Sequence, residues 1–209
     1  MNITFLGINC FKIQSKNVTI ITDPFGKETG LKPVRAKADI ITVSKGDSAH
    51  NYTNGIQGSP FIINRAGEYE VKAVFIQGLT SQSPDSKEEN IVYLIEIEGI
   101  RFLHLGDLAV PLSGEARDKF DGIDVLIAPV GGKDILKIDK TAKLINQIEP
   151  RVVIPMHYKL PGVKEKLAPL SKFCEEMGVS EKNKLEKLSL KKKDLPSEET
   201  EVHILKQVR

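Results

Sequence analysis

Cysteine is scarce in this chain. Cys10 and Cys174 are the only two in 209 residues, too few for a disulfide framework, and both read as buried thiols. Aromatic residues make up only 6%, and the basic residues are dispersed among acids, so the interleaved basic and aromatic stripe of a nucleic-acid-binding surface is missing. Neither sign of charge dominates: the net charge is +2, and the basic run from Lys182 to Lys193 reads as a solvated face. No apolar run approaches the ~18 residues of a membrane span, and Met1 to Leu6 has a strand pattern rather than the basic and apolar regions of a secretory leader. The expectation is a cytoplasmic protein that engages neither membrane nor nucleic acid.

Two common catalytic signatures are also lacking. Ser81 and Ser83 have no Gly-x-Ser-x-Gly elbow around them, which argues against a serine nucleophile. Gly131-Gly132-Lys133 has backbone N–H groups suited to cradling an anion, yet not the spacing of a phosphate-binding P-loop. Internal repeats and low-complexity tracts are absent.

What is present suits one soluble α/β domain over residues 1–209, with 28% charged and 40% hydrophobic residues. The first half is rich in short β-branched runs between turn residues: Ile3–Phe5, Cys10–Ile13, Val18–Ile21, Ile40–Val43, Phe61–Ile63, Val71–Ile76, Ile91–Ile97 and Arg101–Leu103. Gly99 predicts a hairpin between the last two. Helical spacing runs from Ile138 to Ile148 and stops before Pro150; a second helix is expected from Leu167 to Met177, closed by Gly178. Val125–Ala128 and Val152–Ile154 read as central strands, and Leu185–Leu190 and Glu201–Leu205 as two more around Leu195-Pro196. Strands first, then alternating helices and strands, predict two packed sheets with helices outside.

The most informative stretch is Ser44-Lys45-Gly46-Asp47-Ser48-Ala49-His50, directly after the buried-strand run Ile40 to Val43. With it go Phe5-Leu6-Gly7 leading to Cys10-Phe11-Lys12-Ile13, Ile21-Thr22-Asp23-Pro24, Gly67-Glu68-Tyr69-Glu70-Val71, Asn90-Ile91-Val92-Tyr93, His104-Leu105-Gly106-Asp107, Pro129-Val130-Gly131-Gly132 and Ile154-Pro155-Met156-His157-Tyr158. In this order the segments resemble the metallo-β-lactamase superfamily, in the branch of predicted Zn-dependent hydrolases similar to L-ascorbate-6-phosphate lactonase. The resemblance implies an α/β fold, a four-layer αββα sandwich, with a metal pocket at the edge of its two sheets.

In that superfamily the loop after the strand reads His-x-His-x-Asp-His and holds one or two metal ions; the four ligand positions here are Lys45, Asp47, Ala49 and His50. Asp107 corresponds to the carboxylate that bridges two metals and His157 to the late histidine of the second metal. A further histidine is expected near Ser83, and the one that often follows the first glycine of this branch is Ile8. On this register the first site, which needs histidines at 45, 47 and 83, is lost, while the second keeps His50, Asp107 and His157. Two imidazoles and a carboxylate are adequate for a single Zn²⁺ or Fe²⁺. The expected cofactor is therefore none or at most one zinc.

Other residues take supporting readings. Lys45 is expected to stand in for metal charge through a salt bridge to Asp107 or Asp47. Asp23 resembles a carboxylate that supports the ligand loop by hydrogen bonds, and His104 reads as a residue that packs behind the ligands. Lys45, Lys133 and Lys159 would make the pocket mouth attractive to a small anionic ligand. No protein partner can be named from the residues. The leading functional expectation is a hydrolase-fold protein whose dinuclear zinc site is largely lost, a pseudoenzyme or ligand-binding domain. The alternatives are a mononuclear metal-dependent hydrolase of an ester, lactone or phosphodiester, and a protein-interaction or anion-binding module.

Overall fold

The computed structural model of the protein describes residues 1–82, 89–114, 116 and 119–208. Two sheets face each other. The first takes the order β14-β1-β2-β3-β5-β7, from β1 (Asn2–Gly7), β2 (Cys10–Gln14), β3 (Thr19–Thr22), β5 (Ile40–Thr42), β7 (Phe61–Ile63) and β14 (Leu188–Ser189). The second runs β15-β13-β12-β11-β10-β9-β8, from β8 (Gly67–Val71), β9 (Val74–Gln82), β10 (Glu89–Ile97), β11 (Ile100–His104), β12 (Val125–Pro129), β13 (Val152–Met156) and β15 (Glu201–Val202). A small parallel ribbon joins β4 (Ala36–Lys37) to β6 (Ile56–Gln57).

Alternation along the strands explains the layers. In β1, Ile3 and Phe5 are buried in the main core while Asn2, Thr4 and Leu6 are partly exposed on the other face. In β3 and β5 both faces are buried. Ile20 and Ile40 enter the core between the sheets, whereas Ile21 and Ile41 join Cys10, Phe25, Val34, Ala38, Val43 and Ile56 in a second apolar cluster. The segments 23–38 and 43–58 on either side of β5, with 3-10 turns at Lys27–Thr29 and Thr53–Gly55, thus cover the outer face of the first sheet. The hydroxyl of Tyr93 in β10 lies 2.9 Å from the carbonyl of Val43 and 3.0 Å from that of Ile63, linking the second sheet to the ends of two strands of the first.

The helices α1 (Ile138–Ile148) and α2 (Leu170–Glu176) lie against the second sheet, with Leu144, Ile145, Leu170, Phe173 and Cys174 in its core. The second helix is shorter than its sequence pattern predicts because Pro169 holds extended backbone at its start. The apolar run Val71–Ile76 is two strands and not one: Lys72 (φ 52°) and Ala73 (φ 59°) turn it into a tight hairpin between β8 and β9, in a conformation usually given to Asn or Gly. Gly67–Val71 is accordingly a strand of its own, which the apolar run Val71–Ile76 does not foretell. The C-terminal runs form only the short β14 and β15, on opposite sheets. Among the described residues, no helix is long and apolar enough to cross a membrane. Cys10 and Cys174 are both free and buried.

The topology concentrates loops at one edge. Strands β3, β5 and β7 run parallel, as do β11, β12, β13 and β15, so their carboxyl ends open on the same side within each sheet. Asp23 follows β3, Ser44 to His50 follow β5, Asp107 follows β11, Gly131 and Gly132 follow β12, and His157 follows β13. Ligand sites in α/β sheets favour the carboxyl ends of strands, where loops converge on a rigid frame.

Candidate metal centre

Three side chains from three loops meet here. One ligand atom each of His50, Asp107 and His157 lies within 4.8 Å of the others. Nε2 of His50 is 3.3 Å from Oδ2 of Asp107, and Nδ1 of His157 is 2.6 Å from Oδ1 of the same carboxylate. Both imidazoles are buried, at 1% and 3% exposure, so their nitrogens face protein and not bulk water.

Each member is held from behind. Nδ1 of His50 lies 2.6 Å from Oδ1 of Asp47, which turns Nε2 toward Asp107. The backbone N–H of Ala49 donates to the same Asp47 oxygen at 2.9 Å, closing the loop into a compact turn. Asp107 is placed by Asn90: its backbone N–H donates to Oδ1 of Asn90 (2.7 Å), whose Nδ2 donates to the carbonyl of Leu105 (2.9 Å). Asp23 accepts hydrogen bonds from both the N–H and the hydroxyl of Ser44, each at 2.6 Å, and so anchors the start of the ligand loop. His104 is fully buried, with Nε2 2.9 Å from the carbonyl of Asn9 and Nδ1 accepting from the N–H of Gly106 (3.3 Å).

The backbone is strained at this edge. Ile8 (φ 55°), Asp23 (φ 41°) and His157 (φ 52°) adopt left-handed conformations that cost a β-carbon-bearing residue about 1–2 kcal/mol each. The N–H of His157 donates to the carbonyl of Ile8 at 2.9 Å, so two of the strained residues brace each other. Gly106 (φ 57°) makes the sharp turn before Asp107.

Electrostatics bind the cluster. Burial opposes charge on His50, but Asp107 and Asp47 outweigh it and raise its pKa well above the usual histidine value. Burial likewise opposes charge on His157, yet Asp107 and then Glu165 raise it to about 9. Asp107 loses by burial and gains more from the two imidazoles, ending well below the usual carboxylate range. His104 is pushed down by burial and Asp23 up by burial. Metal uptake by such a trio displaces protons, because imidazole ligates only when that nitrogen is unprotonated.

Lys45 forms the salt bridge expected of it. Its ammonium is 3.4 Å from Oδ2 of Asp47 and 3.9 Å from Oδ2 of Asp107. It lines a cavity of about 530 Å³ together with Ser44, Asp47, Asn51, Asn64 and Glu89. Lys133 and Lys159, expected at the same mouth, are not among the described residues that line it. Ser83 lies outside the described residues. Three contributors escaped the sequence reading: Asn9, Asn90 and Glu165, the last with Oε2 3.3 Å from Nε2 of His157. Asn9 lies in a turn, Asn90 at the start of β10 and Glu165 in a loop; none has a spacing that marks it, and only the folded chain brings them to the site.

A family model described as the beta-lactamase superfamily domain matches residues 2–157. The chain belongs to the metallo-β-lactamase superfamily. A Thermotoga maritima protein assigned to the Zn-dependent hydrolases of this superfamily has a solved structure that is 30% identical, with a TM-score of 0.80, over 98% of this chain and 99% of that one. A UPF0173 metal-dependent hydrolase of Lysinibacillus sphaericus is 25% identical across 76% of this chain and 85% of its own length. Another from Methanopyrus kandleri is 24% identical across 86% and 94%. More distant structures, such as one from Parabacteroides distasonis at 16% identity and a TM-score of 0.65, share the metallo-β-lactamase fold.

The donor set fits one divalent cation. Two imidazoles and a carboxylate converge, and Asp47 supplies the carboxylate partner that metal-bound histidines ordinarily have.

Proposed function

We propose that this metallo-β-lactamase-superfamily protein is a metal-dependent hydrolase of a single-cation type, using His50, Asp107 and His157 as ligands and an ester, lactone or phosphodiester as substrate. The observation that carries the reading is the convergence of those three donors while the ammonium of Lys45 sits 3.9 Å from Oδ2 of Asp107, the oxygen that His50 also approaches. A fixed monovalent cation then shares with one metal ion the neutralisation that two metals provide elsewhere in the superfamily.

A divalent cation held in such a site supplies Lewis acidity to a carbonyl or phosphoryl oxygen. The protein's own groups do the rest. Asp47 and Asp107 fix the His50 ring from its two ends, and Glu165 and Asp107 do the same for His157. Lys45, at the wall of the cavity, draws in an anionic substrate and offsets negative charge that grows on its oxygens. Substitution at Ala49 removes the aspartate that elsewhere in the superfamily orients water, so turnover is expected to be slower than in a two-metal relative.

A second reading has its own support. Nδ1 of His157 approaches Asp107 at hydrogen-bond distance, 2.6 Å, and its Nε2 faces Glu165, a closed set of internal ion pairs suited to a pseudoenzyme that binds a small anion. Elemental analysis separates the two. Protein purified without chelator and supplied with Mn²⁺ or Zn²⁺ is expected to retain about one ion per chain, lost in His157→Ala and His50→Ala. Wild-type protein that retains none, or retains two, overturns the single-cation reading.

A further inference from the structure

Asn9, in the turn between β1 and β2, is completely buried and reaches into the centre. Its Nδ2 lies 2.7 Å from Oδ1 of Asp107 and 3.1 Å from Nε2 of His50, so one amide nitrogen touches two of the three candidate ligands. Its Oδ1 has no hydrogen-bond partner, one of only three buried side-chain N or O atoms in that condition among the described residues. Leaving a buried acceptor unpaired costs about 1–3 kcal/mol, and that cost calls for a reason.

The two ends of an amide carry opposite polarity in nearly the same shape. With no cation present, the carboxylate of Asp107 demands a donor, and Nδ2 supplies it at Oδ1. With a cation held by the same carboxylate, an N–H dipole is repelled and a carbonyl oxygen is attracted. Half a turn about the Cβ–Cγ–amide axis exchanges the ends. Turning Oδ1 away from the far side breaks no hydrogen bond there, so the charge at the centre decides which end faces inward.

Building on the single-cation reading, we infer that Asn9 is a fourth ligand of the centre, presenting Oδ1 to a bound divalent cation and Nδ2 to the carboxylate of Asp107 when no cation is bound. It restores from the β1–β2 turn the oxygen donor that Ala49 cannot give. Two imidazoles with a carboxylate and an amide oxygen form a harder donor set than zinc sites built on histidine and cysteine, and such oxygen donors suit Mn²⁺. Asn9 therefore shifts the preference of the site toward Mn²⁺ relative to Zn²⁺.

Titration calorimetry on the full chain, stripped by chelator and then given Mn²⁺ or Zn²⁺, tests this. Asn9→Ala is expected to weaken Mn²⁺ binding at least about tenfold, a loss seen even for residues one step removed from a metal, and to weaken Zn²⁺ binding less. Asn9→Asp, which keeps an oxygen at either end, is expected to hold Mn²⁺ at least as tightly as the wild type. An amide that merely plugs the cavity competes with the ion, so Mn²⁺ binding by Asn9→Ala that is unchanged or tighter overturns the inference. Thermal melts in chelator establish that each variant folds; should Asn9→Ala not fold, weaker Mn²⁺ binding by Asn9→Asp overturns it instead. Wild-type protein that takes up neither ion fails the single-cation reading itself, a result seen before any Asn9 variant is made.

Discussion

Asp47 and His50 sit three residues apart in one loop, with Oδ1 of the carboxylate 2.6 Å from Nδ1 of the ring. A position that the superfamily pattern gives to a metal-binding histidine here aims the next histidine instead. Burial works against charge on Asp47, yet His50 and Lys45 hold its pKa below the ordinary carboxylate value.

Removing that carboxylate frees the His50 ring to rotate and to change tautomer. Asp47→Ala is expected to weaken divalent-cation binding about 10- to 100-fold with the fold intact. Calorimetry with Mn²⁺ checks it, and an unchanged dissociation constant would show that the pair is incidental.

Lys45 faces Asp47 and Asp107. Lys45→Met leaves those carboxylates less well compensated, and in chelator the variant is expected to be about 1 kcal/mol less stable than the wild type. Added divalent cation takes over part of the neutralisation, so the gap should narrow. Melting curves with chelator and with Mn²⁺ read both effects; a variant as stable as wild type in chelator refutes the charge-substitution role.

Gly106 turns the chain into Asp107 at φ 57°, and a β-carbon there would meet Oδ1 of Asn90 and come within 2.7 Å of Cβ of Ser44. Gly106→Ala combines left-handed strain with overpacking, for an expected loss of about 2–4 kcal/mol. Denaturant unfolding measures it. Because Asn90 also accepts from the N–H of Asp107, metal uptake should fall in whatever fraction remains folded.

Asp39 ties strands together away from the site. It accepts from the N–H of Thr19 at 2.8 Å and from Lys72 at 2.5 Å, contacts that hold its pKa below the ordinary 3.8. A lowered carboxylate pKa contributes stability that is present above 3.8 and lost as pH falls through the folded value. Lys72 is 56% exposed, so solvent screens the pair and Asp39→Asn is expected to cost only about 0.5–1 kcal/mol at pH 7. That difference should disappear in acid. A penalty that persists below the folded pKa would assign it to geometry rather than charge.

Much of the framework was legible in the order of residues. Period-two alternation at Ile3 and Phe5, the unbroken apolar runs Val125–Ala128 and Val152–Ile154, and helical spacing from Ile138 to Ile148 each report a local relation between neighbours. The hairpin at Lys72-Ala73 was not legible, because neither residue advertises a positive φ. The site was half legible. His50, Asp107 and His157 stand at ligand positions of motifs, whereas Asn9, Asn90 and Glu165 carry no spacing that gives them a role.

By itself, the amino-acid order determined which side chains carry donors and that position 49, an alanine, carries none. Only the tertiary structure decided that Asn9 lies 2.7 Å from Asp107 across a separation of 98 residues, and that Asp47 turns His50 toward that carboxylate. The reason is physical: a residue's chemistry is written in its covalent structure. The field and the partners that direct this chemistry exist only after distant strands have brought their carboxyl ends to a common edge.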